Sequence, residues 1–509
     1  MKIQKKLRIK EFGDFQTPLD LAFHIVDFLR IIGIKPSTIL EPTCGTGSFL
    51  FAVIKTFPNA HIVGMDINKE YVSSVKEKLV QINKKNNIDI KEADFFQVEW
   101  KKEITSLKKP ILIIGNPPWI TSAEMTVLNG NNLPDKFNIH KYRGLEAKTG
   151  KSNFDISEWV IITLLKALSG YDGVLAMLCK TSVARKALMY CHDNQLTLKR
   201  ASMHLIDTKE YFKVSVDACL FICHLKPNIR SYSCQIYHSL GLGNLIQKIG
   251  VVNGEIIANL NTYQKWSHLQ GESQYIWRSG IKHDCARVME LTKKGELFLN
   301  GFNEQVLIEE DYLYPMLKSS DVANNRVDNI KKWMIVPQKC IGEETSIIKT
   351  KAPLTWEYLL KNAKKLDARA SSIYKNRPRF SIFGVGEYSF SPWKIAISGL
   401  YKKIHFRLIQ TFSGKPVVFD DTCYFISINS FEEAILLYSL LNHSISLEFY
   451  ESFIHWDAKR PITKQILQSL DLKKIYKEIG REKTLELVQN QVHESNIEII
   501  EQMLEKLKN

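Results

Sequence analysis

A short apolar run that stops at a proline-rich turn constrains the fold of this chain more than any other feature. The run covers residues 111–115 and is followed directly by Asn116, Pro117, Pro118 and Trp119. A continuous apolar run closed by a turn is typical of a strand buried on both faces of a parallel sheet. Ligands of such sheets bind just beyond the carboxyl ends of the strands. We therefore expect the tetrad at 116–119 to lie at the functional site.

The chemistry of the tetrad favours a planar substrate that carries an amino group. Pro117 and Pro118 have no backbone N–H, so this stretch of chain offers carbonyl acceptors without neighbouring donors. Asn116 adds a side-chain carbonyl, and Trp119 adds a flat ring that can stack on a heterocycle.

Two earlier strand-like runs, residues 38–40 and 61–65, are each followed by an acid, Glu41 and Asp66. Glu41 opens a tight turn that contains Gly45 and Gly47, and Asp66 is spaced to accept hydrogen bonds from two ribose hydroxyls. The turn lacks a third glycine or a basic residue that could bind a pyrophosphate. The pattern therefore favours S-adenosylmethionine, a nucleoside with a compact cationic tail, over a dinucleotide.

Asn-Pro-Pro-Trp resembles motif IV of the amino methyltransferases, which alkylate exocyclic amines of adenine or cytosine, or a glutamine amide. The strands before it resemble motifs I to III of class I methyltransferases. The resemblance implies that the tetrad and the strand ends form one site. In that site the cofactor would be lined by Glu41, Gly45 and Gly47, its ribose and adenine held by Asp66 and Ile67, and its adenine amine bound by Asp94, which Phe95 follows.

Two further segments fit the same family. Residues 12–18, Phe-Gly-Asp-Phe-Gln-Thr-Pro, resemble motif X, in which Thr17 and Pro18 would border the methionine end of the cofactor. Gln16 replaces the tyrosine that is usual there. Phe212, between two strand-like runs, resembles the motif VIII aromatic that covers the second face of the target base.

The alternation of buried strands and helices stops after residue 227, so we place a domain boundary between residues 1–227 and 228–509. The whole chain carries 69 Lys and Arg against 54 Asp and Glu, a net charge of +15, which favours a polyanionic partner. Residues 361–379 hold seven basic residues and only one acid, Asp367. Such a run suits a surface that follows a phosphate backbone, although it is also typical of a solvated face.

Residues 374–401 and 455–463 look like parts of the target-recognition domains that follow the catalytic domain in these enzymes. The DNA contacts that we expect in the second half are Lys375, Arg377, Arg379, Trp393, Lys459 and Arg460.

The motif order, X first, then I to VIII, then a recognition domain, resembles the gamma class of N6-adenine DNA methyltransferases of restriction-modification systems. The resemblance implies an α/β fold, a Rossmann-like class I methyltransferase with a mixed seven-stranded sheet, followed by an α+β target-recognition domain. It implies S-adenosylmethionine as cofactor, double-stranded DNA as partner, and a cognate restriction endonuclease encoded separately. The target base would be flipped from the duplex and methylated on its amine.

Three alternatives remain at this stage. N4-cytosine methylation uses the same geometry, although that class more often carries Ser at the first tetrad position. A protein-glutamine methyltransferase shares an Asn-Pro-Pro-aromatic tetrad, but the large basic second half argues against it. A non-catalytic DNA-specificity subunit is disfavoured because the key site residues are all present.

Other functional classes find little support in the sequence. The nine cysteines include no Cys-x-x-Cys pair, so neither a disulfide framework nor a metal site is indicated. Thr-Gly-Lys-Ser at 149–152 resembles the end of a phosphate-binding loop, but Leu145 stands where the opening glycine belongs. No apolar run approaches membrane-spanning length. We therefore expect a cytoplasmic enzyme without a metal and without a membrane partner.

Overall fold

The computed structural model describes residues 16–81, 87–120, 155–489 and 499–503. The chain divides into two compact units, Met1–Leu260 and Asn261–Asn509. Most of the motif X segment, residues 12–15, lies outside the described residues, and so does the Thr-Gly-Lys-Ser segment at 149–152.

The first unit contains a mixed sheet of ten strands. In chain order they are β1 (Thr38–Glu41), β2 (His61–Asp66), β3 (Ile88–Glu92), β4 (Ile111–Gly115), β5 (Gly173–Lys180), β6 (Arg200–Ile206), β7 (Ala218–Leu225), β8 (Ser233–Tyr237), β9 (Leu245–Val252) and β10 (Glu255–Ile257). Across the sheet the order is β10-β9-β8-β6-β7-β5-β4-β1-β2-β3. Strands β1 to β5 are parallel, and β7 is antiparallel to both β5 and β6.

In the described part of the first unit, seven helices accompany this sheet. They are α1 (Leu19–Ile31), α2 (Ser48–Thr56), α3 (Lys69–Gln81), α4 (Trp100–Ser106), α5 (Ile156–Leu168), α6 (Thr181–Asp193) and α7 (Thr208–Phe212). Side chains of α1, α2 and α3 pack on one face of the sheet, and those of α4, α5 and α6 pack on the other.

Strand β4 shows why its sequence is apolar throughout. Ile111 and Ile113 face the α4–α6 side, whereas Leu112 and Ile114 face the α1–α3 side, because successive side chains of a strand point to opposite faces. All four are at most 1 % exposed. Each buried side chain of this size stabilises the fold by roughly 1.5–3 kcal/mol, so both faces select for isoleucine and leucine.

The predicted seven-stranded mixed sheet is confirmed in β1 to β7, and three strands extend it. The predicted boundary after residue 227 falls in the turn between β7 and β8, whereas the first compact unit ends at Leu260. The sheet continues because β8 pairs in parallel with β6. Strands β8 and β9 include exposed and half-buried residues, so they lack the continuous buried apolar runs that mark the central strands.

The second unit is α+β and contains two sheets. The four-stranded sheet has the order β11-β20-β17-β18, from Arg278–Ser279, Cys423–Ile428, Trp393–Ser398 and Arg407–Ile409. The six-stranded sheet has the order β14-β13-β12-β16-β15-β19, from Gln305–Val306, Leu297–Leu299, Glu290–Lys294, Lys332–Ile335, Leu313–Leu317 and Val418–Phe419.

Helices of four to twelve residues accompany the second unit. They are α8 (Leu260–Trp266), which starts at the last residue of the first unit, α9 (Ala286–Met289), α10 (Ser319–Ala323), α11 (Ile348–Lys351), α12 (Pro353–Lys361), α13 (Ala363–Asp367), α14 (Phe431–Asn442), α15 (Ser444–Glu451), α16 (Lys464–Gln468), α17 (Leu472–Ile479) and α18 (Arg481–Gln489).

All nine cysteines lie in the described residues and carry free thiols. The described part of the chain contains no cluster of three or more His, Cys, Asp or Glu placed to bind a metal. None of its helices combines the length and the apolar character that crossing a membrane requires.

Candidate active site

Asp66 organises the carboxyl edge of the parallel strands. Its Oδ2 accepts from the Gly45 amide at 2.7 Å, and its Oδ1 accepts from the Asn68 amide at 2.8 Å. Its main-chain oxygen accepts from the Ala93 amide at 3.0 Å. The loops that follow β1, β2 and β3 are therefore tied to one residue. A carboxylate has about four acceptor positions, so the bonds from Gly45 and Asn68 do not by themselves use up its acceptor capacity.

Two glycines allow the loop after β1 to turn tightly into α2. Gly45 has a φ of +50° and Gly47 has a φ of +89°, which L side chains rarely adopt. A Cβ atom at Gly45 would lie 2.7 Å from Oε1 of Gln16. Gly45 therefore lets the N-terminal segment approach the loop closely, which a side chain would prevent.

These loops enclose a cavity of about 520 Å³. Its volume lies in the range of sites for small organic ligands. The cavity is lined by seven of the nine cofactor residues expected from the sequence, namely Thr17, Glu41, Gly45, Asp66, Ile67, Asp94 and Phe95. Pro18 and Gly47 adjoin lining residues without lining the cavity themselves.

Glu41 places a buried carboxyl group in this cavity. It is 3 % exposed, and its Oε2, like Oγ1 of Thr43, has no hydrogen-bond partner among the described residues. Burial and the negative charge of Asp66 hold the pKa of the Glu41 carboxyl well above its usual range, and a backbone hydrogen bond from Leu50 opposes this shift. A buried carboxylate of this kind favours a ligand that brings a positive charge.

The N-terminal segment is attached to the loop after β1 by hydrogen bonds. Oε1 of Gln16 accepts from the amide of Thr46 at 3.1 Å and from its hydroxyl at 2.8 Å. The hydroxyl of Ser48 donates to the Thr17 carbonyl at 2.7 Å. Gln16, whose substitution for tyrosine weakened the motif X resemblance, thus lines the cavity and binds the loop that carries Gly45.

Three aromatic residues that the sequence analysis did not single out, Phe49, Tyr71 and Phe96, line the cavity. Tyr71 lies in the first turn of α3, after Asp66, and Phe96 follows Phe95. The Phe95 ring packs on Trp100 with a centroid distance of 4.7 Å, whereas Phe96 is half-buried. The Phe-Phe pair was the only signal for Phe96, because strand geometry alone does not say which of two adjacent rings faces a ligand.

The tetrad lies at the carboxyl end of β4, as expected, and part of it lines the same cavity. Asn116 and Pro118 contribute to the lining, whereas Pro117 and Trp119 do not. The Trp119 side chain is 5 % exposed, and its Nε1 donates to the Leu178 carbonyl at 3.3 Å.

Trp119 packs in the core on the α1–α3 face of the sheet, in contact with Phe212. The two ring centroids are 5.3 Å apart at 59°. We expected this ring to be available for stacking on a heterocycle, whereas the structure packs it in the core. Phe212 was expected in a loop, but it is the last residue of α7 and is 9 % exposed. Stacking of a target base on either ring stays a prediction.

The residues that we expected to contact DNA are all in the second unit. They differ in whether their side chains are already paired with an acid. Lys375, Arg377 and Lys459 are exposed. Arg379 pairs with Asp367 at 2.7 Å, and Arg460 pairs with Asp421 at 3.4 Å.

Two other residues of that unit have structural contacts. The Trp393 ring packs on Phe431 at 4.9 Å and lines a cleft of about 290 Å³. Arg369, one of the seven basic residues, donates to the main chain of Ser381 at 2.8 Å and of His283 at 3.2 Å. Arg369 therefore serves the fold, and the surface charge of the 361–379 run is smaller than its composition suggests.

Comparison with known proteins defines first the class and then the family. The family model described as "Methyltransferase domain" matches residues 35–114, the segment that contains β1 to β4. The solved structure of the type IIL restriction-modification enzyme MmeI in complex with DNA aligns over 91 % of this chain and 66 % of its own, with 15 % identity and a TM-score of 0.52. That likeness shows the fold. Together with the strand order, it defines a class I methyltransferase, and S-adenosylmethionine is its cofactor.

Curated relatives define the family more closely. Type II methyltransferase M.NspV of Nostoc sp. is 49 % identical over 471 residues, which are 92 % of this chain and 98 % of that protein. The chain therefore belongs to the type II methyltransferases of restriction-modification systems. A tRNA1(Val) (adenine(37)-N6)-methyltransferase of Vibrio cholerae is 31 % identical over 125 residues, 24 % of this chain and 50 % of its own length.

Glu41→Gln tests the electrostatics of the cavity. The pKa of Glu41 is higher in the folded chain than in the unfolded chain, so its carboxyl group destabilises the cofactor-free fold as pH rises above the pKa of the unfolded chain. The effect is absent in acid, where Glu41 is protonated in the folded and the unfolded chain alike. Thermal unfolding should therefore show a higher Tm for Glu41→Gln than for wild type at pH 7.5, with the difference shrinking toward pH 4.5.

Binding of S-adenosylmethionine should change in the opposite direction. Loss of a charged hydrogen-bond acceptor should raise its Kd about 10- to 150-fold at pH 7.5, measured by calorimetry. Glu92→Gln, at the exposed end of β3, is the control and should change neither quantity. A lower Tm at neutral pH together with unchanged affinity would contradict this account of Glu41.

Trp119→Ala should destabilise the fold. Removal of a buried aromatic side chain costs about 3–5 kcal/mol, so the Tm of the first unit should fall clearly in calorimetry without any substrate. Trp119→Phe keeps the contact with Phe212 and loses the bond to Leu178, so its loss should be much smaller. An unchanged Tm for Trp119→Ala would show that the ring is not a core residue in solution.

Proposed function

We propose that this chain transfers a methyl group from S-adenosylmethionine to the N6 amine of an adenine in double-stranded DNA. We further propose that it is the modification enzyme of a restriction-modification system whose endonuclease is a separate chain. The observation that carries the proposal is the position of Asn116 and Pro118, which line the cavity bounded by Glu41, Asp66 and Asp94. One proposed amine acceptor, Asn116, thus shares a cavity with the acids that we expect to bind the cofactor.

The lining residues fit this cofactor. Glu41, buried with an oxygen that lacks a partner among the described residues, would bind the ammonium group of the methionine part. Asp66 would accept from the ribose hydroxyls, and Asp94 from the adenine amine. When bound, the cofactor supplies an electrophilic methyl group on a sulfonium ion.

The protein would act on the target amine through hydrogen-bond acceptors. The side-chain oxygen of Asn116 and the main-chain oxygen of Pro117 would accept the two N6 hydrogens. These bonds withdraw the nitrogen lone pair from ring conjugation and direct it toward the cofactor cavity. The nitrogen would form a bond to the methyl group as the sulfur–methyl bond breaks in line, the cofactor would leave as its neutral thioether, and the methylated nitrogen would release one proton to water. Such a step depends on positioning and preorganised dipoles and requires no strong general base.

Capture of the base would require a change at the aromatic pair. Flipping a base from the duplex costs a few kcal/mol, and stacking on an aromatic side chain returns about 1–3 kcal/mol per base. The rings of Trp119 and Phe212 contact each other in the protein without DNA. Both side chains are also buried, so a base could stack on either ring only after a local rearrangement that exposes it.

Two comparisons support the choice of substrate. M.NspV is named as a type II methyltransferase, and it matches nearly the whole chain. The Vibrio cholerae relative is named for N6 methylation of adenine, although in tRNA. The net charge of +15 and the basic run at 361–379 favour a nucleic acid over a protein substrate. N4-cytosine methylation remains the second candidate, because Asn116 and Pro117 would bind that amine in the same way.

Single-molecule sequencing of host DNA tests the proposal directly. Expression of the wild-type chain in a host that lacks its own methyltransferases should produce N6-methyladenine at one short recurring sequence. Asn116→Ala should reduce purified methyl transfer by several orders of magnitude and leave the Kd for S-adenosylmethionine near wild type, because Glu41, Asp66 and Asp94 are unchanged. If the modified base at the recurring site is N4-methylcytosine, the target base is cytosine and not adenine. Unmodified DNA would refute the proposed activity, and an active Asn116→Ala enzyme would refute the mechanism.

The exposed basic residues at 375, 377 and 379 should contribute salt-dependent affinity for DNA. Each phosphate contact adds about 0.9 to the slope of log K against log salt. Neutralising Lys375, Arg377 and Arg379 together should therefore reduce the slope by up to about 2 to 3. A control triple in the first unit, the exposed lysines 102, 108 and 226, removes the same charge. Equal slopes for the two triples would move the DNA contacts elsewhere.

A further inference from the structure

Lys180 connects two segments at the carboxyl edge of the sheet. It is the last residue of β5, and its Nζ donates to Oδ2 of Asp155 at 2.6 Å and to the Trp119 carbonyl at 3.1 Å. Asp155 is also the N-cap of α5, because its Oδ1 accepts from the amide of Ser157 at 3.0 Å. One ammonium group therefore binds both the tetrad and the start of α5.

The tetrad needs such support because its own backbone leaves the sheet. The parallel pairing of β4 with β5 ends at Gly115 and Met177, and Pro117 and Pro118 cannot donate main-chain hydrogen bonds. Beyond Gly115, the chain is bound by the Trp119 Nε1 bond to Leu178 and by the bond from the Ile156 amide to the Ile120 carbonyl, 2.9 Å long. Lys180 adds a charged donor to these bonds.

The same ion pair connects the tetrad to the wall of the cofactor cavity. Ile156 and Val160, in the first turns of α5, line that cavity. The side chain of Asp155 is 9 % exposed and that of Lys180 is 24 % exposed. Partly buried pairs of this kind contribute little net stability compared with apolar side chains, but they fix the relative position of the segments that they join.

We propose that Lys180 is a positioning residue for methyl transfer. By binding the Trp119 carbonyl and Asp155 at once, it fixes the acceptors at 116 and 117 relative to the cavity wall formed by α5. The inference rests on the proposed function, because it assigns Lys180 to the reaction proposed above. Displacement of reacting groups by about 1 Å can reduce a rate about 100-fold without loss of binding.

The chain provides a matched control for this role. Lys186 of α6 pairs with Glu158 of α5 at 2.7 Å, and Glu158 is 1 % exposed. This second pair also joins the segment that follows β5 to α5. Lys186→Met therefore removes a comparable ion pair and leaves the Trp119 carbonyl bond in place.

The test uses the full chain and a duplex that contains the sequence methylated by the wild-type enzyme. Lys180→Met, Lys180→Arg, Asp155→Asn and Lys186→Met are compared for Tm, for the Kd of S-adenosylmethionine and for the single-turnover rate at saturating cofactor and DNA. A duplex with 2-aminopurine at the target position reports entry of the base by fluorescence.

Lys180→Met should reduce the single-turnover rate about 10- to 100-fold per folded molecule, with the Kd for S-adenosylmethionine within about twofold of wild type. Lys180→Arg should recover most of the rate, because a guanidinium can donate to both partners. Asp155→Asn should also reduce the single-turnover rate. In the double variant it should add little to the loss caused by Lys180→Met, because both changes break the same Lys180–Asp155 ion pair. Lys186→Met should lower Tm without a comparable loss of rate.

The proposal is overturned if Lys180→Met keeps the wild-type rate, or if its loss equals that of Lys186→Met. If Lys180→Met does not fold, the test relies on Lys180→Arg and Asp155→Asn. A wild-type rate for Asp155→Asn overturns the proposal. A reduced rate for Asp155→Asn, with normal binding of S-adenosylmethionine, supports it. A wild-type chain that methylates no DNA removes the proposed function itself, whereas an active wild type with an unaffected Lys180→Met removes only the role of Lys180.

Discussion

The hydrogen bonds of Asp66 are the constraint on which the rest of the site depends. Its two carboxylate oxygens and its main-chain oxygen bind the loops that follow β1, β2 and β3. An acid at that point can accept all three bonds only if the strands are parallel and end at one edge. The parallel order of the central strands therefore determines the site, and the glycines at 45 and 47 allow the first of these loops to reach Asp66.

The carboxyl and amino edges of the sheet differ in how their polar groups are satisfied. At the amino end of β4, Lys109 donates to the carbonyls of Ile104, Thr105 and Leu107 at 2.6–2.9 Å and so caps the end of α4. At the carboxyl end, Glu41 is buried beside a second carboxylate, with one oxygen that lacks a partner among the described residues. Groups that destabilise a fold persist where a ligand or a reaction compensates for them.

The central strands could be predicted from the sequence because each is marked by a local run of apolar residues. Continuous apolar runs such as 111–115 and 173–178 are typical of strands that are covered on both faces. Polar residues follow each of these runs, Asn116 in the first case and Lys180 in the second. Strands β8 to β10 were missed because they lie toward the edge of the sheet, where exposed residues interrupt the apolar pattern. For the same reason, the boundary of the first unit was placed too early in the chain.

The residues missed in the site depend on contacts between segments far apart in the sequence. Nothing local distinguishes Lys180 from other lysines, because its partners are 25 and 61 residues away. Trp119 shows the converse case: its position after two prolines suggests an exposed ring, yet the Leu178 carbonyl provides a hydrogen-bond acceptor and Phe212 provides a packing surface for the buried ring. A tetrad in which two of the four residues lack a backbone N–H depends on its neighbours for its position, so the same prolines that free its carbonyls for a substrate make its geometry depend on β5, α5 and α7.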